Sequence, residues 1–352
     1  MSHFKPNTVS EKIEFLRNNS ELLLHSFKSQ EKSICDLNKK VQQVEGMYKN
    51  HFDLLNEEGC IKESSPAGHF NSVIPYVDKN FTGSNLDFSC LEYNPDEHIK
   101  ILKELKHYLK NFDKEFGVPP LLIESSSLDE LIMERKRAKI YSLFSGSFEW
   151  MDARIFYYMI QKYTPNKIIL YDNCIDALLL AVNTKKTFKL NTEIIYINSE
   201  ENDIVKSLVY DKDITYIPKP LQDVDATIFK SLSRNDMLFI DSSHAGKLNS
   251  DVLFYLINIL PYLNQGVLVQ IHDIFLPNDY PTEWIKMGRF WNEQYFLYSF
   301  LQGNKNVKIK FSNSYAHNNY KDLLDSIQNG CYEQNAGHVH TFGGGSIWLE
   351  IV

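Results

Sequence analysis

The sequence predicts an α/β protein with a doubly wound, seven-stranded, mainly parallel sheet and an N-terminal helical extension. The first observation is that short apolar runs alternate with helix-like segments throughout the part of the chain after Pro165. That alternation is typical of a parallel sheet with helices on both faces. The second is that polar residues directly follow two of the apolar runs, MLFI and VLVQI. The third is a helical seven-residue repeat near the N-terminus, outside the strand pattern.

The composition narrows the class of protein. The chain has 352 residues, of which 43% are hydrophobic and 23% charged, as in an ordinary globular protein. A net charge of −8 argues against general binding of nucleic acid. No apolar run approaches the roughly 20 residues of a membrane helix, and no signal-peptide core opens the chain. The 5 cysteines are scattered, which fits a reducing compartment, so we predict a cytoplasmic protein without a membrane span.

Residues 8–57 form the helical extension. From Ile13 on, apolar side chains recur every seven residues, a pattern typical of a coiled coil, although three of the core positions are polar. We predict a homo-oligomer formed through residues 8–57. The alternative is a long amphipathic helix that lies on its own domain. The predicted division of the chain is residues 1–58 for this helix, 59–147 for an irregular and helical segment packed on the core, and 148–352 for the α/β domain.

The strands and helices of the predicted core follow in order. Residues 59–95 are rich in turn-forming residues, residues 96–115 have the spacing of an amphipathic helix, and residues 147–165 form an aromatic helix ended by Pro165. The predicted strands are residues 167–171, 193–198, 214–217, 237–240, 267–271, 307–313 and the final GGGSIWLEIV. Helices are predicted over 177–183, 203–210 and 223–231, and after Asn249–Ser250. With only a loop between them, the last two strands should pair as an antiparallel hairpin.

Four polar residues should gather at one edge of this sheet. Asp241 ends one apolar strand and is followed by His244, and the next strand ends on the pair His272 and Asp273. In open α/β sheets, ligands bind outside the carboxyl ends of the strands. This edge is therefore the predicted functional site.

Several stretches resemble one family of known proteins. They include AGHFNSVIPYVD, FEWMDARIFYYMIQKYTPNKII, FIDSSH, GVLVQIHDIFLPNDYPTEW, GRFWNEQYFL and GGGSIWL. Together they resemble class I S-adenosylmethionine-dependent methyltransferases, of a bacterial type associated with surface-polysaccharide gene clusters. The resemblance covers roughly residues 66–352. It implies S-adenosylmethionine as methyl donor, bound by Asp152, Asp172, Asn198 and Asp223.

The first strand departs from the pattern of that family. Family members carry an acidic residue and a Gly-x-Gly turn there, because a Cβ would collide with the cofactor. In the corresponding run, LYDNCID, Leu170 replaces the acidic residue, and Asp172 and Cys174 replace the glycines. At the end of the second strand, where family members carry an acid that binds the ribose hydroxyls, this chain has Asn198. Glu200 or Glu201 could substitute by a small shift.

The resemblance also implies a metal site. Asp241, His272 and Asp273 are placed like the ligands of divalent-metal methyltransferases and of the related cephalosporin hydroxylases. Carboxylates suit Mg²⁺ or Mn²⁺, whereas a histidine ligand shifts the preference towards iron, zinc or manganese. The alternative is structural: Asp241 caps a turn, and His272 is a hydrogen-bonded residue of the crevice.

His244 is the predicted general base, with Asp241 beside it as a second catalytic residue. A histidine with a pKa near 6.5 can accept the proton of a sugar hydroxyl at neutral pH. Arg289, Asn292 and Glu293 are predicted to lie on one helical face and bind the substrate, with Tyr280 as a stacking surface. In the alternative, Arg289 and Glu293 form an ordinary pair on a solvated helix and Tyr280 is a packing residue.

Two functions from different classes follow. The first is an O-methyltransferase for a hydroxyl of a sugar or glycan precursor. Either a divalent metal assists it, or the same residues organise the acceptor without a metal. The second keeps the fold but not S-adenosylmethionine, either as a different metal-dependent enzyme or as a non-catalytic oligomerising partner. A scaffold whose coiled coil is the functional part is a third, weaker reading.

Overall fold

The computed structural model describes residues 72–77, 80–109, 112–117, 127–143, 145, 147–172, 175–200, 202–328 and 344–352. The predicted helix and coiled coil over residues 8–57 lie outside the described residues. Val77–Val352 form one compact unit, which contains the whole sheet. The predicted domain boundaries remain predictions.

The seven predicted strands are confirmed. They are β1 (Lys167–Asp172), β2 (Glu193–Ile197), β3 (Thr215–Ile217), β4 (Met237–Asp241), β5 (Leu268–His272), β6 (Val307–Ser312) and β7 (Ser346–Ile351). Their order in the sheet is β3-β2-β1-β4-β5-β7-β6. The first five strands run parallel, and β7 pairs antiparallel with β5 and β6. This is the doubly wound sheet of the Rossmann-like methyltransferase fold.

The helices lie before and between the strands. They are α1 (Pro95–Tyr108), α2 (Phe112–Phe116), α3 (Ser127–Arg137), α4 (Trp150–Tyr163), α5 (Ile175–Thr187), α6 (Asp203–Tyr210), α7 (Asp251–Phe254), α8 (Thr282–Lys286), α9 (Glu293–Leu301), α10 (Asn313–Asn319) and α11 (Lys321–Gln328). The helix α7 continues as a π-helical turn over Tyr255–Ile259. In the part of the chain that is described, no helix is long and apolar enough to cross a membrane.

Three local predictions are wrong. The helix predicted over 96–115 is two helices, α1 and α2. The helix predicted over 223–231 is a pair of 3-10 turns, Leu221–Asp223 and Ala226–Ser231. The last two strands do pair antiparallel, but α10 and α11 lie between them in the chain, so they do not form a simple hairpin.

The alternation of side chains along each strand divides the core between the two faces of the sheet. In β4, Met237 and Phe239 pack with the helices α4 and α5 on one face. Leu238 and Ile240 pack on the other face, with the segments that follow β4 and β5. Because both faces are covered, the strands β4 and β5 are mainly apolar. Gln270 inside β5 is buried and donates to Ser346 Oγ at 3.0 Å, and the other polar residues come where these two strands end.

The register of the central strands places those ends side by side. Asp172 at the end of β1 is level with Asp241 at the end of β4. The next strand, β5, ends on His272 beside β4. The register of the strands therefore brings the ends of β1, β4 and β5 together at the predicted edge.

Candidate active site

The loop after β4 is held in one conformation by its own polar groups. His244 has φ of 57°, a left-handed conformation that is uncommon for a residue with a side chain. Its backbone N–H donates to Ser242 Oγ at 3.0 Å, and the N–H of Ser243 donates to Asp251 Oδ2 at 2.7 Å. The carbonyl of His244 accepts from the N–H of Asn292 at 3.0 Å. These bonds fix the direction in which the imidazole points.

The imidazole of His244 lies among three carboxylates. Its Nε2 is 3.3 Å from Asp241 Oδ1 and 3.5 Å from Asp273 Oδ2. Its Nδ1 is 2.7 Å from Oε2 of Glu293. The predicted pairing of His244 with Asp241 is therefore present, and Glu293 is a third partner.

Glu293 is completely buried, which changes its predicted role. Its Oε1 accepts hydrogen bonds from Ser242 Oγ and from the hydroxyl of Tyr255, both at 2.7 Å. Its side chain is 0% exposed, so it orients His244 and does not face the cavity. Tyr255 opens the π-helical turn after α7, the segment that carries its ring into the core.

His272 lies on the other side of the same two aspartates. Its Nδ1 is 3.4 Å from Asp241 Oδ1 and 3.7 Å from Asp273 Oδ2. Its Nε2 is 3.7 Å from Oδ2 of Asp152, a buried residue in the first turn of α4. Asp152, predicted from the resemblance to hold the cofactor, thus lies in this cluster. Its Oδ2 also accepts the N–H of Gly345 at 2.9 Å.

The chain approaches Asp152 closely at Gly344. The residue has φ of 69°, and a Cβ there would lie 2.6 Å from Asn313 Nδ2 and 2.7 Å from Oδ2 of Asp152. Only glycine fits this conformation and this space. Asn313 Nδ2 in turn donates to Oδ1 of Asp152 at 2.5 Å. Gly344 and Gly345 therefore lie directly against Asp152 of the cluster.

Burial and the carboxylates act in opposite directions on the charges. Burial lowers the pKa of His244, but the hydrogen bonds to Asp241 and Glu293 outweigh burial and raise the pKa to about 10. Burial also lowers the pKa of His272, yet Asp273, Asp152 and Asp241 together raise it well above its usual value. Burial raises the pKa of Asp241, and the two imidazoles outweigh it and lower that pKa far below the ordinary range. For Asp273, burial dominates and raises the pKa.

The expectation of a near-normal pKa for His244 is therefore wrong. In the absence of another cation, the surrounding carboxylates favour the protonated form of both histidines. The cluster requires positive charge, and the proton on each ring supplies it in this arrangement.

A metal ion can take the place of those protons. Asp241, His244 and Asp273 each offer a ligand atom within 4.8 Å of the others. The two aspartates also lie between both imidazoles, at distances of 3.3 to 3.7 Å. Carboxylates and neutral imidazoles are ligands that Mn²⁺, Fe²⁺ and Zn²⁺ accept. Each imidazole has a carboxylate at its second nitrogen, as ligating histidines commonly do.

The cluster forms the floor of a cavity of about 520 Å³. Its acidic side chains are Glu149, Asp152, Asp241, Asp273 and Asp279. Its aromatic side chains are Trp150, Phe275 and Trp284, and Arg289 and His317 also line it. A cavity of this size holds a small molecule of one or two rings.

Arg289, Asn292 and Glu293 do not share a helical face, because the helix α9 begins only at Glu293. Arg289 precedes α9 and lines the cavity, so the alternative of an ordinary pair with Glu293 on one helix is not present either. Asn292 binds the backbone of Gly246 through both ends of its amide, at 2.6 and 3.3 Å. Tyr280 is 3% exposed and accepts the N–H of Gln294 at 3.1 Å. Only Arg289 of these four is placed to contact a substrate directly.

The three remaining cofactor candidates follow the ends of β1, β2 and β3. Asp172 ends β1. Asn198 follows β2 and is buried, and its amide donates to the hydroxyl of Tyr196 at 3.2 Å and accepts the N–H of Glu200 at 2.6 Å. Asp223 ends the 3-10 turn after β3 and is exposed. Of these three residues, Asp172 is level with Asp241 of the acidic cluster.

Sequence comparison supports the methyltransferase resemblance. Residues 161–274 match a family described as a methyltransferase domain. An uncharacterised protein of Archaeoglobus fulgidus is 26% identical over 179 residues, which are 48% of this chain and 74% of that protein.

Solved structures give a weaker similarity. The O-methyltransferase from Bacillus cereus in complex with SAH has a TM-score of 0.40 at 10% identity, over 70% of this chain and 100% of that one. The apo-structure of CmcI-N160 has a TM-score of 0.30 at 14% identity, over 45% of this chain and 62% of that one. This chain thus spans less than two thirds of the CmcI chain. Residues 161–274 thus match a methyltransferase domain, and the strand order is that of the Rossmann-like methyltransferase fold.

Proposed function

We propose that this protein is an S-adenosylmethionine-dependent O-methyltransferase that acts on a hydroxyl of a sugar or glycan precursor with the help of a divalent metal. The observation that carries the proposal is the position of His244. Its Nε2 lies between Asp241 and Asp273 at the floor of the cavity, and its Nδ1 is held by Glu293 at 2.7 Å. A base, an orienting carboxylate and a cation site thus meet where an acceptor hydroxyl would lie.

In this proposal the two histidines have different roles: His272 binds the metal and His244 is the base. Asp241, Asp273 and His272 would hold the metal, and the metal would bind neighbouring hydroxyls and lower their pKa. Glu293 fixes the proton of the His244 ring on Nδ1, so Nε2 is the nitrogen that accepts the proton of the acceptor hydroxyl. Asp152 does the equivalent for His272 from the other side of the cluster.

A cation in the cluster would also change the protonation of His244. Asp241 and Asp273 raise the pKa of His244. A divalent ion held by these two carboxylates would weaken their attraction for the imidazolium, and the pKa of His244 would then be lower than in the metal-free protein.

S-adenosylmethionine, when bound, supplies the electrophilic methyl group. The residues that would hold it are Asp172, Asn198 and Asp223, because β1 is the neighbour of β4 in the sheet and β2 and β3 follow it outward in the strand order. Asn198 has its amide engaged with Tyr196 and Glu200, so we propose that it shapes the loop after β2.

Calorimetric titration with S-adenosylhomocysteine tests this part of the proposal. We expect micromolar binding in the presence of Mn²⁺, since the edge offers carboxyl and amide groups for a ribose and an amino acid. The control ligand is adenosine, which lacks the amino-acid part and should bind more weakly. If S-adenosylhomocysteine does not bind at millimolar concentration, S-adenosylmethionine is not the donor.

The departure of LYDNCID from Gly-x-Gly favours a second candidate function. Asp172 brings a side chain and a negative charge to a position where family members have glycine. A protein of this kind would keep the metal and the acceptor cavity but catalyse another metal-dependent reaction, or would serve as a silent oligomerising partner. Metal uptake without binding of S-adenosylhomocysteine would favour the metal enzyme.

Glu293→Gln tests the orienting role. Glutamine keeps the shape and an acceptor oxygen but loses the charge that holds the imidazole. Loss of an outer-shell partner typically costs 10–100-fold in activity, so we expect kcat to fall by roughly that factor with little change in KM. The rate should be measured against pH, because the lost charge also lowers the pKa of His244 and shifts the profile to lower pH.

The control for Glu293→Gln is Glu134→Gln on the exposed surface of α3. Thermal melting of both variants separates a loss of fold from a loss of orientation. An unchanged pH profile in a folded Glu293→Gln protein would contradict the orienting role.

Cellular location and assembly are also proposals. We infer a cytoplasmic protein without nucleic-acid partners from its charge and cysteine content, and a homo-oligomer formed through residues 8–57 from the heptad pattern.

A further inference from the structure

Arg289 presents a positive charge to the cavity on a surface of two tryptophans. Its guanidinium carbon lies 4.9 Å from the ring centre of Trp284 and 5.5 Å from that of Trp291. The two indoles are nearly perpendicular, at 79°, and so contact the guanidinium from different directions. A guanidinium that stacks through its flat faces keeps its N–H donors for other partners.

The backbone fixes this residue where α8 ends. Gly288 has φ of 83° and donates its N–H to the carbonyl of Ile285 at 3.0 Å. The N–H of Arg289 donates to the carbonyl of Trp284 at 3.0 Å. The turn therefore returns Arg289 over the helix that carries one of its tryptophans, and the charge is positioned before any ligand arrives.

Arg289 differs in charge from most of the other charged residues that line the cavity. Among the described residues that line the cavity, it is the only lysine or arginine, and the remaining charged groups include five acids. No carboxylate of the described residues forms an ion pair with Arg289. The nearby acid Asp279 accepts instead from the hydroxyl of Tyr295 at 2.7 Å and from Gln294 Nε2 at 3.2 Å.

We propose that the acceptor carries an anionic group, a carboxylate or a phosphate, and that Arg289 binds it in two-pronged fashion at the rim of the cavity. This inference rests on the proposed function and names the class of its acceptor: an acidic sugar. Planar guanidinium donors match the oxygens of carboxylates and phosphates, which lysine matches less well.

The distance between Arg289 and the base suits a single sugar ring. The centre of Trp291 lies 5.5 Å from the guanidinium carbon and 4.2 Å from the ring centre of His244. Because both groups contact the ring of Trp291, the guanidinium carbon of Arg289 lies no more than about 10 Å from the ring centre of His244. One sugar ring with a charged substituent can bridge these groups, with its hydroxyls at the cation cluster and its charge on Arg289.

Ligands that share a ring and differ in charge test the proposal. Glucose is the neutral probe, glucuronate carries a carboxylate, and glucose 6-phosphate and glucose 1-phosphate carry phosphate at opposite ends. Binding to the full chain is measured calorimetrically with Mn²⁺ present. We expect at least one anionic probe to bind roughly tenfold or more tightly than glucose, since hydrogen bonds to charged groups are the strong ones. Comparison of the anionic probes then separates carboxylate from phosphate.

The variants are Arg289→Gln, Arg289→Lys and the control Lys286→Gln, which removes a positive charge on the exposed side of α8, where it pairs with Glu283 at 3.4 Å. The preference for the anionic probe should disappear in Arg289→Gln, weaken in Arg289→Lys and persist in Lys286→Gln. Equal binding of charged and neutral sugars, no binding of any anionic probe at millimolar concentration, or an unchanged preference in Arg289→Gln would overturn the proposal.

Two readouts keep this inference apart from the proposed function. Binding of S-adenosylhomocysteine should be the same in wild type and Arg289→Gln, because Arg289 lies on the acceptor side. A preference for anionic sugars without binding of S-adenosylhomocysteine would support the proposed acceptor class and exclude S-adenosylmethionine as the methyl donor. Binding of S-adenosylhomocysteine without an anionic preference would leave a methyltransferase whose acceptor is neutral.

Discussion

Substitution of His244 by asparagine is expected to lower the rate of methyl transfer by roughly 10²–10⁴-fold, the range that a general base contributes. Asparagine can keep the hydrogen bond to Glu293 that the imidazole makes at Nδ1. It cannot accept the proton of the acceptor hydroxyl. The measurement is transfer of a labelled methyl group to an acidic sugar, with metal content determined on the same preparation.

Metal content decides which histidine is the ligand. In our assignment His272 holds the metal and His244 does not, so His244→Asn should retain its metal while it loses its rate. The control is His107→Asn at the exposed end of α1, which should match wild type in both. A folded His244→Asn protein that has lost its metal would show that His244 is a ligand together with Asp241 and Asp273. Near-normal turnover would remove it from the mechanism altogether.

The sheet was predictable because its physical causes are local in the sequence. A strand buried on both faces is mainly apolar along its length, so β4 and β5 stand out as MLFI and VLVQI, in which Gln270 is the one polar residue. Their polar ends had to meet, because parallel neighbours end at one edge. The pairing of β7 between β5 and β6 depends on contacts far apart in the chain, and no sequence period reports it.

The residues around His244 were only partly predictable. Asp241 and His244 are three residues apart after one strand, and the sequence places them together. Glu293 comes from a helix almost fifty residues later, and its exposure could not be predicted, because a glutamate at the start of a helix is usually solvated. Its burial follows from the donors of Ser242 and Tyr255, which replace water around the carboxylate.

The prediction of a near-normal pKa for His244 failed for the same reason. A sequence shows how many acids a chain has, but not that Asp241, Asp273 and Glu293 converge on one ring within 3.5 Å. Convergence of this kind reverses the effect of burial. In the metal-free protein, the protonated imidazole of His244 therefore balances the negative charge of these carboxylates.

Metal binding should therefore become tighter as the pH rises. The pKa of His244 is about 10, above its ordinary value of 6.5, and that of His272 is raised as well. In our proposal a divalent ion at Asp241 and Asp273 would balance the charge that these protons balance in the metal-free protein, and ligating histidines must be neutral. Each proton released makes the apparent affinity rise about tenfold per pH unit below the pKa of the group. We expect at least a tenfold rise per unit between pH 6 and 9 for Mn²⁺, measured calorimetrically in buffers of different ionisation enthalpy.

The metal-free protein should show the opposite trend in stability. A histidine whose pKa is raised on folding stabilises the fold below pH 6.5, and that contribution is lost as the pH rises towards 10.

Asp241→Ala and Asp273→Ala should each abolish metal uptake, and Asp203→Asn at the exposed start of α6 should not. Unchanged metal content in both alanine variants would rule out the site. Binding without proton release would mean that the histidines are neutral before the ion arrives, so that the carboxylates of the free protein are balanced by something other than imidazolium.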